Sequence, residues 1–337
     1  MTANSLLQVS NLHVEFTTYG GIVHAVRGAD FHVERGETLA IVGESGCGKS
    51  VAVQSVLGLI PIPPGRITQG EAILDGHQIL GHQTIEGKDI RGNRVGMIFQ
   101  DPMTSLNPTM TIGNQIAEPL KLHRKMSGAQ AKKRAIELLE MTKIPEAAKR
   151  ASQYPFEFSG GMLQRAMIAM AIACEPDLLI ADEPTTALDV TIQAQILELI
   201  KDLQQEVGMG LILITHDLGV VAGVADRVVV MYAGEILESG TADEIFFAPS
   251  HPYTLGLLSA MPTNRRDVVQ TLMPIPGSPP DLFSPPEGCG YAARCPQAME
   301  ACVANRPTQF TVSDSHFSKC WLHHEACEHR VLEVQQV

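Results

Sequence analysis

The stretch TLAIVGESGCGKSVAVQSVLGLI, residues 38–60, decides the fold of this chain. Thr38–Val42 is a short apolar run typical of a buried strand, and Lys49–Ile60 has the spacing of a helix. Between them the sequence follows the pattern G-x-x-x-x-G-K-[ST]. A strand, a glycine-rich loop and a helix in this order predict a loop that binds phosphate groups.

Each residue type in this loop suits a triphosphate. Glycines let backbone N–H groups turn toward an anion at the positive end of the helix dipole. Lys49 supplies a charge for the β- and γ-phosphates, and the Ser50 hydroxyl is a ligand for Mg²⁺. The predicted nucleotide contacts of this segment are Gly43, Ser45, Gly46, Cys47, Gly48, Lys49, Ser50 and Val51.

A second chemical motif is the run LLIADE, residues 178–183. Its apolar part, Leu178–Ala181, predicts a buried strand that ends in two carboxylates. We expect Asp182 to lie beside Mg²⁺ and Glu183, without a metal bond, to accept a proton from water or to orient it. Two acids at a strand end are common at surfaces, but the phosphate loop upstream favours the catalytic interpretation.

The rest of the chain alternates strands with helices. Apolar strands alternating with helices indicate an α/β fold with a mainly parallel sheet covered on both faces. The polar, helical stretch between Thr111 and Gln153 predicts a separate lobe. The other predicted elements are strands at Leu6–Phe16, Ala25–Val33, Val95–Gln100 and Leu211–Thr215, a hairpin after Asp226, and helices at Ser159–Cys174, Val190–Glu206, Ala242–Phe247 and Pro252–Ala260.

Length and charge narrow the class of protein. A chain of 337 residues predicts roughly two domains. The net charge of −12 argues against a nucleic-acid partner, because such binding depends on basic surface. The N-terminal segment lacks the pattern of a secretory signal, which predicts a cytosolic chain. The longest apolar run, Ala166–Cys174, is far shorter than the ~20 residues that span a bilayer.

The segment FSGGM, Phe158–Met162, precedes a predicted helix and resembles the LSGGQ signature of the nucleotide-binding subunits of ABC transporters. It departs from that signature at both ends but keeps its Ser-Gly-Gly. The stretches VGESGCGKSV, FQDPMTSLNPTMT, ADEPTTALDVTIQAQIL and HPYTLGLL further resemble the ATPases of dipeptide and oligopeptide importers. The resemblance covers Leu6 to about Ala260 and implies an ABC-type P-loop ATPase core with a β-subdomain and a helical subdomain.

The resemblance also implies roles for single residues. Gln100 is similar to the glutamine that senses Mg²⁺ and the attacking water, and His216 to the histidine that contacts the γ-phosphate. Ala187–Asp189 is similar to the loop that meets the opposite subunit. Tyr19 is the first choice for stacking on adenine, and Phe16 is the second. The implied Mg²⁺ ligands are Ser50, Gln100 and Asp182, and further implied nucleotide contacts are Ser159, Gly160, Gly161 and Asp189.

The resemblance implies a division of the chain into two parts. Residues 1–262 would form the ATPase domain, with a helical subdomain at about 101–175. Residues 263–337 would form the C-terminal extension of the peptide importers, which is rich in proline and cysteine. The run PIPGSPPDLFSPP, Pro274–Pro286, contains too much proline for regular structure and predicts a stiff linker.

Five of the seven cysteines lie in this extension, and the first four of them have the spacing C-x5-C-x6-C-x17-C. Cytosolic cysteines are usually free thiols or metal ligands. The spacing is wider than the C-x2-4-C pairs of zinc sites, so an iron-sulfur cluster, zinc and free structural thiols all stay open. The resemblance favours a [4Fe-4S] cluster. The expected ligands are Cys289, Cys295, Cys302 and Cys320, with Cys327, His323 and His324 as possible substitutes.

These expectations combine into one function. The chain would hydrolyse ATP with Mg²⁺ and energise the import of dipeptides or oligopeptides by pairing with a second, different ATPase chain. Two membrane-spanning permease subunits and, indirectly, an extracytoplasmic peptide-binding protein are the other implied partners. The chain would lie at the cytoplasmic face of the membrane. The alternative is a non-transport ABC ATPase of the translation or repair type, which commonly carries two ATPase halves or a long coiled coil.

Overall fold

The computed structural model describes residues 5–80, 89–186, 188–261 and 274–327. Its strands are β1 (Ser5–Thr18), β2 (Gly21–Glu34), β3 (Thr38–Val42), β4 (Gly65–Leu74), β5 (His77–Leu80), β6 (Val95–Ile98), β7 (Leu178–Asp182), β8 (Gly210–Thr215), β9 (Arg227–Tyr232), β10 (Glu235–Thr241), β11 (Phe310–Thr311) and β12 (Phe317–Ser318). Its helices are α1 (Lys49–Val56), α2 (Pro102–Ser105), α3 (Ile112–His123), α4 (Gly128–Met141), α5 (Ala147–Arg150), α6 (Gly160–Ala171), α7 (Val190–Val207), α8 (Leu218–Val221), α9 (Ala242–Phe247), α10 (Pro252–Ser259) and α11 (Glu300–Ala304).

The chain divides into two compact units. The first unit is drawn from residues 1–7, 33–38 and 73–214, and the second from residues 8–32, 39–72 and 215–337. Strands β1, β2, β4 and β5 form a four-stranded sheet in the order β2-β1-β4-β5. The first three of these strands pass from one unit to the other within their own length.

The first unit contains three parallel strands, with β7 between β6 and β8. Ile98 is paired with Ala181 and Asp182 with Ile214, so the carboxyl ends of the three strands lie side by side. Strand β7 is buried along its whole length, as its apolar sequence predicts. The stretch predicted as a helical lobe contains α3, α4 and α5, and α3 and α4 pack against each other and against α6.

The second unit pairs β3 with β9 in parallel, and β9 with β10 as an antiparallel hairpin. The C-terminal extension continues this sheet, because β12 pairs with β10 and β11 pairs with β12. The sequence did not predict these two short strands. The extension also shares the core of the hairpin, where Tyr232, Tyr253 and Tyr291 pack with Cys289 and Cys302.

Helix α1 is shorter than predicted, because it ends at Val56 and not at Ile60. Its apolar spacing continues for another turn, but Gly58 has a left-handed backbone with φ 63°. A glycine in this conformation ends a helix, because its N–H bonds back to the last turn. Here the Gly58 N–H donates to the Ser55 carbonyl at 3.0 Å.

Within the described ranges, every helix is either too short or too polar to cross a bilayer.

Glu244 joins α9 to the extension. Its carboxylate accepts hydrogen bonds from the backbone N–H of Thr241 at 2.8 Å and from the hydroxyls of Ser313 and Ser315. Burial opposes the charged form, but these hydrogen bonds lower the pKa of Glu244 from 4.5 to about 2. The folded protein therefore holds this carboxylate ionised at pH values where the unfolded chain protonates it.

The contribution of Glu244 to stability should disappear in acid. Because its pKa is lower in the folded state, its stabilising effect is complete above about pH 4.5 and is lost as the pH falls toward about 2. We expect Glu244→Gln to be less stable than the parent at pH 7, with the difference shrinking over this range. Urea unfolding at a series of pH values measures it. The exposed Glu206→Gln serves as the control, and a constant difference between Glu244→Gln and the parent would contradict the prediction.

Candidate functional site

The phosphate loop has the conformation that its glycines predict. Gly43 has φ 154°, and a side chain there would place its Cβ 2.1 Å from the carbonyl oxygen of Met231. Gly48 has φ 100°, and its Cβ would lie 2.3 Å from the carbonyl oxygen of Ala25. Both positions therefore accept only glycine. The packing of the loop against two neighbouring backbones fixes its path.

Lys49 lies inside this loop. Its side chain is buried, and its Nζ donates hydrogen bonds to the carbonyl oxygens of Gly43 at 2.8 Å and Glu44 at 2.9 Å. Gly48 is the N-cap of α1, and no side chain caps the helix there. An uncapped helix start with an adjacent ammonium group is a binding site for a phosphate anion. Ser45 and Gly46 belong to this loop, while Ser50 and Val51 follow Lys49 in α1.

Cys47, also in the loop, has a packing role. Its thiol is buried, which raises its pKa. Its carbonyl oxygen accepts a hydrogen bond from the N–H of Gly234 at 2.9 Å, which ties the loop to the β9–β10 turn.

In the first unit, the ends of β6 and β7 bring Gln100 and Glu183 together. Gln100 Nε2 donates to Glu183 Oε2 at 2.9 Å. The hydroxyl of Thr186 donates to the same oxygen, also at 2.9 Å. Asp182, the last residue of β7, is buried. Sequence reasoning assigned Gln100 and Glu183 separate roles, and the structure brings their side chains into contact. Thr186 is a partner of Glu183 that sequence reasoning missed.

Glu183 has an unusual backbone. Its φ of 46° is in the left-handed region, which is unfavourable for a residue with a side chain. Its N–H donates to the carbonyl oxygen of Ile214 at 2.9 Å, which holds this conformation. Strained residues of this kind cluster at functional sites. The left-handed conformation falls on the residue that is expected to supply the catalytic carboxylate.

The Ser-Gly-Gly segment lies at the start of α6. Ser159 and Gly160 are exposed, and Ser159 occupies the N-cap position without a capping hydrogen bond from its side chain. Gly161 is close to α7, because a Cβ there would lie 3.3 Å from Ile192. Phe158, which replaces the leucine of the signature, is buried. At the Phe158 end the departure from the signature is therefore a buried apolar side chain, whereas Met162 at the other end is half-buried.

Asp189 and His216 occupy different kinds of position. Asp189 is the N-cap of α7, where its Oδ1 accepts the Ile192 N–H at 2.9 Å. His216 is exposed and directly follows β8. Ala187, the first residue of the predicted D-loop, lies outside the described residues.

The two candidate aromatic residues differ in exposure. Tyr19, at the turn between β1 and β2, is fully exposed. Phe16 is half-buried and lies against Gly65, where an added Cβ would be 3.0 Å from its ring. Tyr19 is therefore free to stack on a base, whereas Phe16 already has a packing role.

The four cysteines predicted as ligands line one small cavity in the second unit. Burial raises the pKa of Cys289 to about 11 and that of Cys320 to about 12, and the nearby thiols act in the same direction. Burial also raises the pKa of Cys295. All four thiols are free. Among the described residues, no three His, Cys, Asp or Glu side chains are grouped as a single metal ion requires.

A contact from the extension to the phosphate loop was not predicted. Arg294 forms two hydrogen bonds with the carboxylate of Glu44, the residue after Gly43. The two partners are 250 residues apart in the sequence, and no local pattern pointed to the pair.

A phosphate loop between a strand and a helix, and a strand that ends in two acids, define a P-loop nucleotide-binding protein. Residues 26–186 match the family described as ABC transporter, and residues 237–302 match the oligopeptide/dipeptide transporter C-terminal region. The chain belongs to the family of ATP-binding proteins of oligopeptide and dipeptide ABC transporters.

Relatives support this assignment over nearly the whole chain. The oligopeptide transport ATP-binding protein OppD of Bacillus subtilis is 58% identical over 95% of this chain and 89% of its own length. The dipeptide transport ATP-binding protein DppD of the same organism is 55% identical over 97% of each chain. A solved ATP-binding cassette, MJ0796, described as a dimer in a post-hydrolysis state with ADP and Pi, is 29% identical and matches with a TM-score of 0.63 over 70% of this chain and 98% of its own.

The role of Tyr19 in adenine stacking stays a prediction. We expect Tyr19→Ala to weaken ATP binding by about tenfold, since stacking of a base on an aromatic ring is worth about 1–3 kcal/mol. Thermal unfolding should not change, because the side chain is fully exposed. Titration with a fluorescent ATP analogue measures the affinity. Phe16→Leu is the comparison, and a larger loss of affinity in that variant would transfer the role to Phe16.

Proposed function

We propose that this chain is the subunit that hydrolyses ATP to drive import of dipeptides or oligopeptides through an ABC transporter. The phosphate loop is the main observation behind the ATP-binding part of the proposal. Two of its positions have room only for glycine, and the loop places Lys49 at the start of a helix that no side chain caps. The matched peptide-transporter C-terminal region and the OppD and DppD relatives support the substrate class. These relatives do not favour the translation or repair alternative.

The proposed roles follow the chemistry of phosphoryl transfer, which depends on positioning and electrostatics. Lys49 binds the β- and γ-phosphates of ATP, and loop residues Gly43, Ser45, Gly46, Cys47 and Gly48, followed by Ser50 and Val51 of α1, surround them. Mg²⁺, held by Ser50, Asp182 and Gln100, would neutralise charge on these phosphates. Glu183 orients the attacking water and accepts its proton, and the hydrogen bonds from Gln100 and Thr186 fix its carboxylate. His216 contacts the γ-phosphate.

A second ATPase chain completes the proposed site. The exposed Ser159 and Gly160, together with Gly161, would contact ATP bound to that chain. Asp189 would lie near the same interface. The dimeric state of the similar cassette MJ0796 supports ATP-driven pairing. We propose that the second chain is a different protein, as the family usually pairs two different ATPases.

The membrane partners and the domain division belong to the same proposal. The chain would bind two permease subunits at the cytoplasmic face of the membrane, and an extracytoplasmic peptide-binding protein would be an indirect partner. Residues 1–262 would form the ATPase domain, with the helical subdomain at about 101–175. Residues 263–337 would form the extension. No nucleic acid takes part in this scheme.

A [4Fe-4S] cluster in the extension is a further part of the proposal. The residues fit such a group, because four cysteines line one cavity and could each bind one iron. Burial and neighbouring thiols raise the pKa of Cys289 and Cys320, and a bound metal would favour their thiolates. Zinc is the alternative, and the cysteine spacing is wider than the C-x2-4-C pairs typical of zinc sites.

Glu183→Gln should abolish turnover but not binding. The amide cannot accept a proton, so we expect ATP hydrolysis by the assembled transporter to fall by about 100-fold or more. The variant should bind MgATP with an affinity similar to the parent and accumulate as a closed pair with its partner ATPase. Phosphate release and size-exclusion chromatography with ATP measure the two effects.

The exposed Glu206→Gln is the matched control and should keep parental turnover. Peptide and its binding protein should stimulate hydrolysis by the parent in membranes. A Glu183→Gln variant with parental turnover would remove the assigned base. If peptide and its binding protein do not change the rate of ATP hydrolysis by the parent, the proposed substrate is contradicted.

The cluster predicts a metal content. Protein purified without oxygen should contain about four iron and four sulfide ions per chain, and Cys320→Ser should lose most of both. Iron and acid-labile sulfide assays measure them, with Cys174→Ser as a control outside the cavity. Zinc in place of iron, or iron content unchanged in Cys320→Ser, would contradict the proposed cluster.

A further inference from the structure

We propose that Arg294, in the cysteine-bearing extension, is a positioning residue for the phosphate loop and sets its affinity for ATP. The inference rests on the proposed function, since ATP is the ligand whose binding would respond. It assigns the extension a direct part in nucleotide binding, through Glu44.

Arg294 forms a bidentate ion pair with Glu44 through both Nη atoms of its guanidinium. Nη1 lies 2.6 Å from Glu44 Oε2, and Nη2 lies 2.9 Å from Oε1. The Arg294 side chain is 5% exposed and that of Glu44 is 27% exposed. A two-pronged, largely buried pair of this kind fixes both the distance and the direction between its partners. Exposed ion pairs do not have this property.

The extension and the β9–β10 hairpin hold Arg294 in place. Nε donates to the Pro276 carbonyl at 2.9 Å, and Nη2 also donates to the Ile275 carbonyl at 3.2 Å. Nη1 also donates to the Tyr232 hydroxyl at 3.2 Å, and the guanidinium carbon lies 5.7 Å from the centre of the same ring. Each guanidinium nitrogen therefore has a partner, so the side chain acts as a rigid support and not as a mobile surface charge.

Glu44 connects Arg294 to Lys49, the lysine proposed to bind phosphate. Its N–H donates to the Tyr253 hydroxyl at 3.0 Å, and its carbonyl oxygen accepts a hydrogen bond from Lys49 Nζ at 2.9 Å. One residue is thus held at its carboxylate by Arg294, at its N–H by α10 and at its carbonyl by Lys49. A shift of Glu44 moves the carbonyl oxygen to which the Lys49 ammonium is hydrogen-bonded. The position of that ammonium relative to the phosphates then changes as well.

The experiment measures MgATP affinity of the full-length chain by competition with a fluorescent ATP analogue. We expect Arg294→Gln and Glu44→Gln each to weaken binding by about tenfold, which corresponds to about 1.4 kcal/mol. Arg294→Lys should show a smaller loss, because lysine keeps the charge but cannot form the two-pronged bond. The double variant should be no weaker than the weaker single variant, since both changes break one interaction.

In the assembled transporter, the KM for ATP should rise while kcat stays within about twofold of the parent, because Arg294 acts on binding and touches no reacting atom. Arg306→Gln is the matched control. Arg306 is also an arginine of the extension, and it pairs with Glu235 and donates to the Arg27 carbonyl, away from Glu44. Its MgATP affinity should equal that of the parent.

Several results would overturn the inference. One is an affinity within twofold of the parent in both Arg294→Gln and Glu44→Gln. Others are additive losses in the double variant and an equal loss in Arg306→Gln. If Arg294→Gln does not fold, Glu44→Gln and Arg294→Lys decide by the same criteria. A parent chain that fails to bind MgATP would overturn the proposed function itself.

Discussion

The close contact between the phosphate loop and two neighbouring backbones is the constraint on which the proposed chemistry depends. Gly43 and Gly48 approach the carbonyl oxygens of Met231 and Ala25 so closely that no side chain fits between them. This packing leaves the loop one path, and that path places the Lys49 ammonium among the loop's own carbonyl oxygens. A charge held in this way needs little reorganisation when an anion arrives.

The acidic residues of the first unit are likewise held in position by the fold. Parallel pairing of β6, β7 and β8 brings their carboxyl ends to one edge, which is where α/β proteins place their reactive groups. Glu183 lies there with a left-handed backbone, and its carboxylate is oriented by Gln100 and Thr186. The sheet therefore sets the position of this carboxylate, and the two hydrogen bonds set its orientation.

Sequence patterns predicted the elements whose bounds are determined by nearby residues. Strand β3 and helix α9 have the predicted bounds. A short apolar run defines β3, and a capping box defines the start of α9, so both elements are determined locally. Helix α1 was predicted too long, since apolar spacing carried past Gly58, whose backbone conformation is invisible to a periodicity argument. The spacing of the four cysteines left their role open, and only the family resemblance favoured a shared cluster; the structure shows that all four line one cavity.

What the sequence did not reveal depends on distant partners. Nothing in the sequence marks Thr186 as a site residue, and only the fold shows that its hydroxyl donates a hydrogen bond to Glu183. Arg294 and Glu44 meet across 250 residues, and charge alone selects no partner at that separation. Such contacts follow from tertiary structure, which period and spacing do not encode.

The short strands of the extension have one more effect, which concerns aggregation. Strand β10 would otherwise end the sheet of the second unit on that side with unpaired backbone groups, and an open edge of this kind is a template for joining other chains. Strand β12 covers part of that edge through Glu238 and Ser239, and β11 then becomes the outermost strand. With only two residues, β11 exposes little backbone for pairing with another chain, so the extension leaves this side of the sheet with a short edge strand.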